Sequence, residues 1–366
     1  MNVLRRLPLT RLLLLCVLVV ALGVSLTALA FALGSGPTPP PKPLAQAVHD
    51  ALTAPPVEGV SANIKLTDHL LEGANLASGD GQANQLSASP LLSGATGRLW
   101  IAKDGRARLE LQAEKGDTQV LYDGHDLSVY DASSNTLYKL KPPAEGESAP
   151  REKPDTRDHE APSVAKIEEG IAKLEHVNVS PATPANVAGQ PAYTERITPK
   201  EGGSLIGGAE VSWDAQHGVP LRFALYSSTG SSPVIELAAT EISYGSVPDS
   251  VFDVNVPANA KVEEVKLPSP KDAKPKSDEA GKHEHPKVTV HGKGITGVAV
   301  LESKVKPGEK GQQLPEQLPK VKVGDTTASE LQTPLGTLLS FERDGVRYLL
   351  AGALEPSAIE AVARGL

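Results

Sequence analysis

Sulfur, aromatic rings and surplus positive charge are all scarce in this chain. One cysteine and one methionine stand among 366 residues, and Phe, Trp and Tyr make up only 4%. The cysteine, Cys16, sits inside an apolar N-terminal run. The rest of the chain therefore has no disulfide framework and no thiol chemistry, and its stability rests on packing and hydrogen bonding. The formal charge is -8, and no basic stripe interleaved with aromatics is present, which argues against a nucleic-acid binder.

Catalytic signatures are missing as well. Ser163-Val164-Ala165-Lys166 matches S-x-x-K, but the S-D-N and K-T-G elements that such a nucleophile needs do not occur. Ser163 reads instead as a helix N-cap. There is no Gly-x-Ser-x-Gly elbow. The glycines flanking Ser204-Leu205-Ile206 lack the Lys-Ser or Lys-Thr of a phosphate cradle and read as a flexible lip loop. Acidic residues are numerous but scattered, with no spacing that singles out an acid/base pair. His283, His285 and His291 alternate in a way that could meet a metal in an extended segment. Two of them lie in a charged linker with nothing to orient them, so a solvated linker is the simpler reading. No enzyme, no metal and no cofactor is expected.

What is present begins with an address. Arg5, Arg6 and Arg11 precede an apolar run from Leu12 to Leu33, 22 residues long. A basic region followed by such a run is an export signal, and the length suffices to cross a hydrocarbon core of about 30 Å. Ala28-Leu29-Ala30 offers a small-x-small cleavage site, so residues 1–34 are a transmembrane anchor or a removable signal. Either way the arginines stay inside and the rest is extracytoplasmic, at the cell membrane if anchored and secreted if cleaved.

Length implies two folded units plus linkers. The 33 glycines and 31 prolines suit twisted sheets joined by loops. Residues 35–42 form a Pro-rich spacer, residues 43–267 a first unit, the Lys/Asp/Glu/Pro-rich stretch 268–287 a second linker, and residues 288–366 a smaller unit. Helices are expected over Leu44–Thr53, from Ser163 through Val164, Ile167, Ile171 and Leu174, and over Pro356–Arg364. The stretches 75–93 and 142–162 read as loops. Later strands are expected over Ala192–Ile197, Ala209–Trp213, Leu221–Tyr226, Val234–Ala239, Glu241–Tyr244, Val288–Leu301, Gly336–Phe341 and Val346–Ala351.

The most informative stretch runs from Gly97 to Leu140. Asp104-Gly105, Lys115-Gly116-Asp117, Asp123-Gly124 and Ser134-Asn135 separate short segments rich in Leu, Ile, Val and Tyr. Consecutive antiparallel hairpins follow, because Gly, Asn and Asp tolerate the positive φ of tight turns. Period-2 alternation then sorts the side chains. Leu99 and Ile101 oppose Arg98 and Trp100. Leu109 and Leu111 oppose Arg108 and Glu110, and Leu127 and Val129 oppose Ser128 and Tyr130. Leu221, Phe223 and Leu225 oppose Arg222 and Tyr226. One face is aliphatic and the other amphipathic. The aliphatic face is either a plain core beneath helices or an apolar groove open to an acyl chain.

GRLWIAKDGRARLEL, VLYDGHDLSVYD and LYKL, with the later VAGQPAYTERITP and VSWDAQHGVPLRFALYSS, resemble the lipoprotein-carrier (LolA-like) family in an actinobacterial-type exported form. The resemblance covers roughly Pro43 to Leu267. Residues 288–366, ending RYLLAGALEPSAIEAVARGL, resemble the C-terminal domain of RseB-like regulators. It implies an α+β fold: a half-open antiparallel β-barrel wrapped around helices, plus a small C-terminal α+β domain. Lys103 and Asp104 stand where carriers often have Arg before Pro, which puts a lid latch in doubt.

The expected function is binding of lipid acyl chains or lipoproteins without catalysis. The cavity residues would be Leu99, Ile101, Leu109, Leu111, Leu127, Val129, Leu221, Phe223 and Leu225, with Ile167 and Ile171 on a helical plug. The alternative is an RseB-like module that binds a membrane anti-sigma factor or another regulatory protein.

Overall fold

A computed structural model describes residues 36–71, 94–113, 116–141, 161–253, 256–266, 287–305 and 318–366. The apolar N-terminal run with Cys16, the loop at 75–93, most of the stretch 142–162, and His283 and His285 lie outside these residues. Among the described residues no helix is long and apolar enough to cross a membrane.

The described residues form two sheets. The larger has thirteen strands: β1 (Gly59–Asp68), β2 (Ala95–Ala102), β3 (Ala107–Ala113), β4 (Gly116–Tyr122), β5 (Leu127–Asp131), β6 (Thr136–Lys141), β7 (Val177–Val179), β8 (Thr183–Val187), β9 (Gln190–Pro199), β10 (Ile206–Asp214), β11 (Pro220–Ser227), β12 (Pro233–Tyr244) and β13 (Lys261–Lys266). Their order is β13-β6-β5-β4-β3-β2-β1-β12-β11-β10-β9-β7, with β8 also on β9. The two end strands do not pair with each other, so the sheet is open and not a closed barrel.

The hairpins arise where the turn chemistry demands them. Asn135 sits at φ 48° and Gly105 at φ 88°, conformations that favour Asn and Gly. β1 is the seam: it pairs with β2 on one side and with β12 on the other, joining segments about 180 residues apart. The expected strands at Val234–Ala239 and Glu241–Tyr244 are a single strand, β12. Its irregularity comes from a bulge, where Asn63 faces Glu241 but Ile64 faces Ala239, leaving Thr240 as the extra residue. The antiparallel expectation also needs one correction. β13 runs parallel to β6: six antiparallel pairings separate β12 from β6, so those two strands run in the same sense, and β13 enters the sheet in the sense in which β12 left it.

Among the described residues two helices accompany this sheet. α1 (Leu44–Leu52) buries Ala45 and Ala47 and packs with Leu44, Val48 and Ala51 against Tyr193, Val211 and Trp213. Its C-terminal end presses on the β10–β11 turn. There Gly218 adopts φ 67°, and a Cβ would lie 2.2 Å from the Ala51 carbonyl oxygen. α2 (Val164–Ala172) is capped by Ser163, whose hydroxyl accepts from the Lys166 amide.

The smaller sheet holds β14 (Lys287–His291), β15 (Val298–Lys304), β16 (Lys320–Val323), β17 (Thr326–Thr333), β18 (Gly336–Arg343) and β19 (Val346–Gly352), in the order β14-β15-β19-β18-β17-β16. The single strand expected over Val288–Leu301 is a hairpin instead, turned at Gly292 (φ 97°) and Gly294 (φ 57°). α3 (Pro356–Arg364) closes one face, with Ile359 and Ala363 fully buried beside Val300, Leu339, Phe341 and Leu350.

The sheets meet through the segment read as a lip loop. The Leu205 amide donates to the Ala353 carbonyl at 2.8 Å, and the Ser204 hydroxyl reaches the same oxygen at 3.1 Å. The Ser227 hydroxyl donates to the Pro334 carbonyl at 2.7 Å. Ser204 and Leu205 are buried, so this segment is a contact and not a free lip.

Candidate functional site

The registers of the large sheet place the sequence-derived aliphatic residues on one side. Ala62, Leu99, Leu109, Val120 and Val129 face one another in a row across five strands. The neighbouring row runs Val60, Ile101, Ala107, Tyr122 and Leu127. On the far side of β1, Leu66 faces Leu237, Leu237 faces Phe223, and Phe223 faces Val211. Leu225 lies opposite Ile235 and Ala209, and alternation sets Leu221 on the same side as Phe223. A continuous apolar face thus extends from β5 to β10.

Burial varies along it. Leu111 packs in a core with Val60, Ala62, Ile64 and Ala95, with Leu99 and Leu109 partly buried against them. Leu221 is buried, Leu225, Leu127 and Val129 are half-buried, and Val211 lies under α1. Between these packed zones the face is open: Ile101 is 37%, Tyr122 40%, Leu237 44% and Phe223 45% exposed. Sequence reasoning missed Leu237, although the alternation of Ile235, Leu237 and Ala239 carries it.

Ile167 and Ile171 are not brought into this face as a plug. α2 leans on α1, where His49 Nδ1 lies 3.0 Å from the Pro162 carbonyl, and it buries none of its residues. Ile167 and Ile171 are both only half-buried.

Two carboxyl groups sit at the margins of the apolar face. Glu195 extends the row beyond Val211. It has no partner among the described residues, and burial pushes its carboxyl up from the ordinary value. Asp68 lies at the end of β1, beside a cavity of about 470 Å³ whose lining includes Leu66, Ala95 and Ala113. Burial raises its carboxyl as well, outweighing the hydrogen bond from the Leu70 amide.

At the β10–β11 corner Asp214 is almost fully buried. It accepts from the Gln216 and His217 amides at 2.7 and 2.8 Å and from the Tyr244 hydroxyl at 2.7 Å. Burial alone would raise this carboxyl, but these donors outweigh it and hold it below the ordinary value. The same burial and the Asp214 contact push the Tyr244 phenol up. The His217 and Tyr244 rings lie 4.0 Å apart. These bonds make Asp214 the anchor of the β10–β11 turn.

The opposite face is polar and cross-linked. Arg222 reaches Glu210 at 2.8 Å and Tyr226 at 2.9 Å and also bonds Glu236, while Arg196 joins Glu210 at 2.9 Å. The Arg196 guanidinium lies 4.5 Å from the Tyr226 ring centre. These bonds lie across β9 to β12. Lys103 pairs with Glu58 at 2.6 Å at the surface, an exposed bridge with little energetic weight. Among the described residues no group of His, Cys, Asp and Glu could hold a metal ion.

The large sheet is thus open, with one largely apolar and one polar face, and α1 packs on the apolar side. No family model matches the sequence, and no curated protein matches it. Solved structures do. The complex of Pseudomonas aeruginosa MucA and MucB matches at 15% identity and a TM-score of 0.38, covering 87% of this chain and 94% of the other. A putative outer membrane lipoprotein-sorting protein domain from Vibrio parahaemolyticus matches at 10% identity and 0.23, covering 57% and 95%. A LolA superfamily protein from Nitrosomonas europaea matches at 11% identity and 0.22, covering 58% and 98%. At these identities and scores the likeness by itself assigns no function.

Proposed function

We propose that this protein binds acyl chains of a lipid or lipoprotein on the aliphatic face of its large sheet, without catalysis. The observation that carries this reading is the open stretch at Phe223 and Leu237, nearly half exposed, between the packed zone around Leu111 and the strands covered by α1. An acyl chain lying along Leu66, Leu237 and Phe223 would bury its methylenes, each worth about 0.8 kcal/mol. The cavity beside Leu66 would receive one end. No covalent step is required.

The N-terminal run would hold the chain at the cell membrane, or direct its secretion if cleaved, with both sheets extracytoplasmic. A second reading is a module that binds a membrane regulatory protein. It is favoured by β14, where Val288 and Val290 are 64% and 65% exposed on an edge strand.

Lipid extraction of the purified chain followed by mass spectrometry, with titration of a fluorescent acyl probe, tests the first reading. Co-purified lipid and saturable probe binding are expected. Absence of both would leave only the second.

A further inference from the structure

The polar face of the large sheet carries a groove that the acyl-binding reading does not use. Its volume is about 350 Å³, and its polar lining is Ser61, Asn63, Arg98, Trp100, Glu241 and Ser243. These residues come from β1, β2 and β12, and the registers arrange them in two adjacent rows. Ser243, Ser61 and Trp100 lie side by side in one, with Glu241, Asn63 and Arg98 in the next.

The side-chain sizes make the groove. Two serines beside Trp100 are too small to cover the indole, which is left half-buried with an open flank. Behind it stands Arg108, fixed by the Val251 carbonyl at 2.6 Å and by Glu110 at 2.6 Å. Asn63 donates to Glu241 at 2.7 Å, so the amide and carboxylate are oriented together. Arg98 is exposed, and neither its guanidinium nor the Trp100 indole N–H has a partner among the described residues. The chain has only two tryptophans, and the other, Trp213, is buried in the α1 core.

We propose that this groove is a saccharide-binding site in which a pyranose ring stacks on Trp100. The aliphatic C–H face of a sugar ring suits an indole flank. Its ring hydroxyls suit a rim of paired donors and acceptors, here Asn63, Glu241 and the two serines. Arg98 then binds a hydroxyl or an anionic substituent on the sugar. An apolar partner fits poorly, because covering the rim would leave its hydroxyl, amide and charged groups without hydrogen bonds. A nucleic acid fits poorly too, since Arg98 is the one cation in the groove's described lining, and it lies next to Glu110 and in the same row as Glu241. The site is on the opposite face from Phe223, so it stands or falls independently of acyl binding.

The test titrates the full chain with chitotriose, mannotriose and a uronic-acid trisaccharide, reading tryptophan fluorescence and saturation-transfer NMR. In a parallel arm, vesicles display the same sugars as glycolipid headgroups. Saturable binding of a free trisaccharide identifies a soluble glycan. Binding confined to the vesicles, and absent from vesicles without the sugar, identifies a glycolipid headgroup. In either case Trp100→Ala should weaken binding at least tenfold, Trp100→Phe should recover part of it, and Phe223→Glu should leave it unchanged. Circular dichroism of each variant confirms that the fold is retained. No saccharide binding in either arm, equal binding by Trp100→Ala, or selection of an aromatic peptide instead of a sugar would overturn the proposal.

Discussion

Replacing Phe223 with glutamate places a charge in the middle of the proposed acyl track. Phe223 is 45% exposed, and its ring faces Leu237 and Val211 across the strands. An exposed site of this kind accepts a carboxylate at little cost to the fold, within about 1 kcal/mol. Binding is affected much more. A ring of this size contacts about three methylenes of a chain laid across it, and at about 0.8 kcal/mol each their loss removes about 2.4 kcal/mol. An acyl chain crossing the site would also strip water from the carboxylate, which adds to the penalty. Affinity for a fluorescent fatty-acid probe should therefore fall at least fiftyfold, with unchanged circular dichroism and a melting temperature within a few degrees. Leu237→Glu should behave alike, and Arg98→Glu, on the other face, should not. Probe affinity within threefold of wild type in a folded Phe223→Glu protein would refute the placement of the ligand.

Other perturbations probe the scaffold. Asp214→Ala strips the Gln216 and His217 amides and the Tyr244 hydroxyl of their acceptor and should cost about 2–3 kcal/mol in urea unfolding. Because this carboxyl is held below its ordinary value of 3.8, its contribution is complete above that pH and is lost as the pH falls through the lower folded value. An acid titration of wild type against Asp214→Asn measures that loss. Glu195 works in the opposite direction. Its carboxyl is raised above 4.5 by burial, so ionising it weakens the fold, and Glu195→Gln should raise the melting temperature at pH 7 while changing nothing well below pH 4.5. Leu350→Ala, at a fully buried position of the small sheet, should cost about 2–5 kcal/mol in calorimetry. Acyl-probe affinity should stay within twofold.

Much of the local structure was legible because it is set locally. Asp104-Gly105 and Ser134-Asn135 mark their turns through φ preferences that belong to the residues themselves. Ser163 and Pro356 mark helix starts for the same reason. The short strands β7, β8 and β16 escaped notice, since three to five residues hold too few periods of alternation to stand out, and β13 and the eight-residue β17 were missed because their polar residues hide the alternation. The split of Val288–Leu301 was hidden by valines on both sides of Gly292 and Gly294, and the unity of β12 by a bulge that only its pairing with β1 reveals. The polar groove at Trp100 left no local trace, because its lining comes from three strands that lie far apart in sequence.

Alternation by itself determined which side chains share a side of each strand, since a strand's period of two is a property of the backbone. It separated Leu99, Leu109, Val129 and Phe223 from Arg98, Arg108, Ser128 and Arg222 without knowledge of any neighbour. Whether those sides become core or open surface was decided only by tertiary structure. Coverage depends on which elements come to lie over each strand. α1 settles on β9 and β10, β1 joins the two halves, and no described element covers Phe223 and Leu237. The same aliphatic pattern is therefore packed core at Leu111 and exposed surface at Phe223.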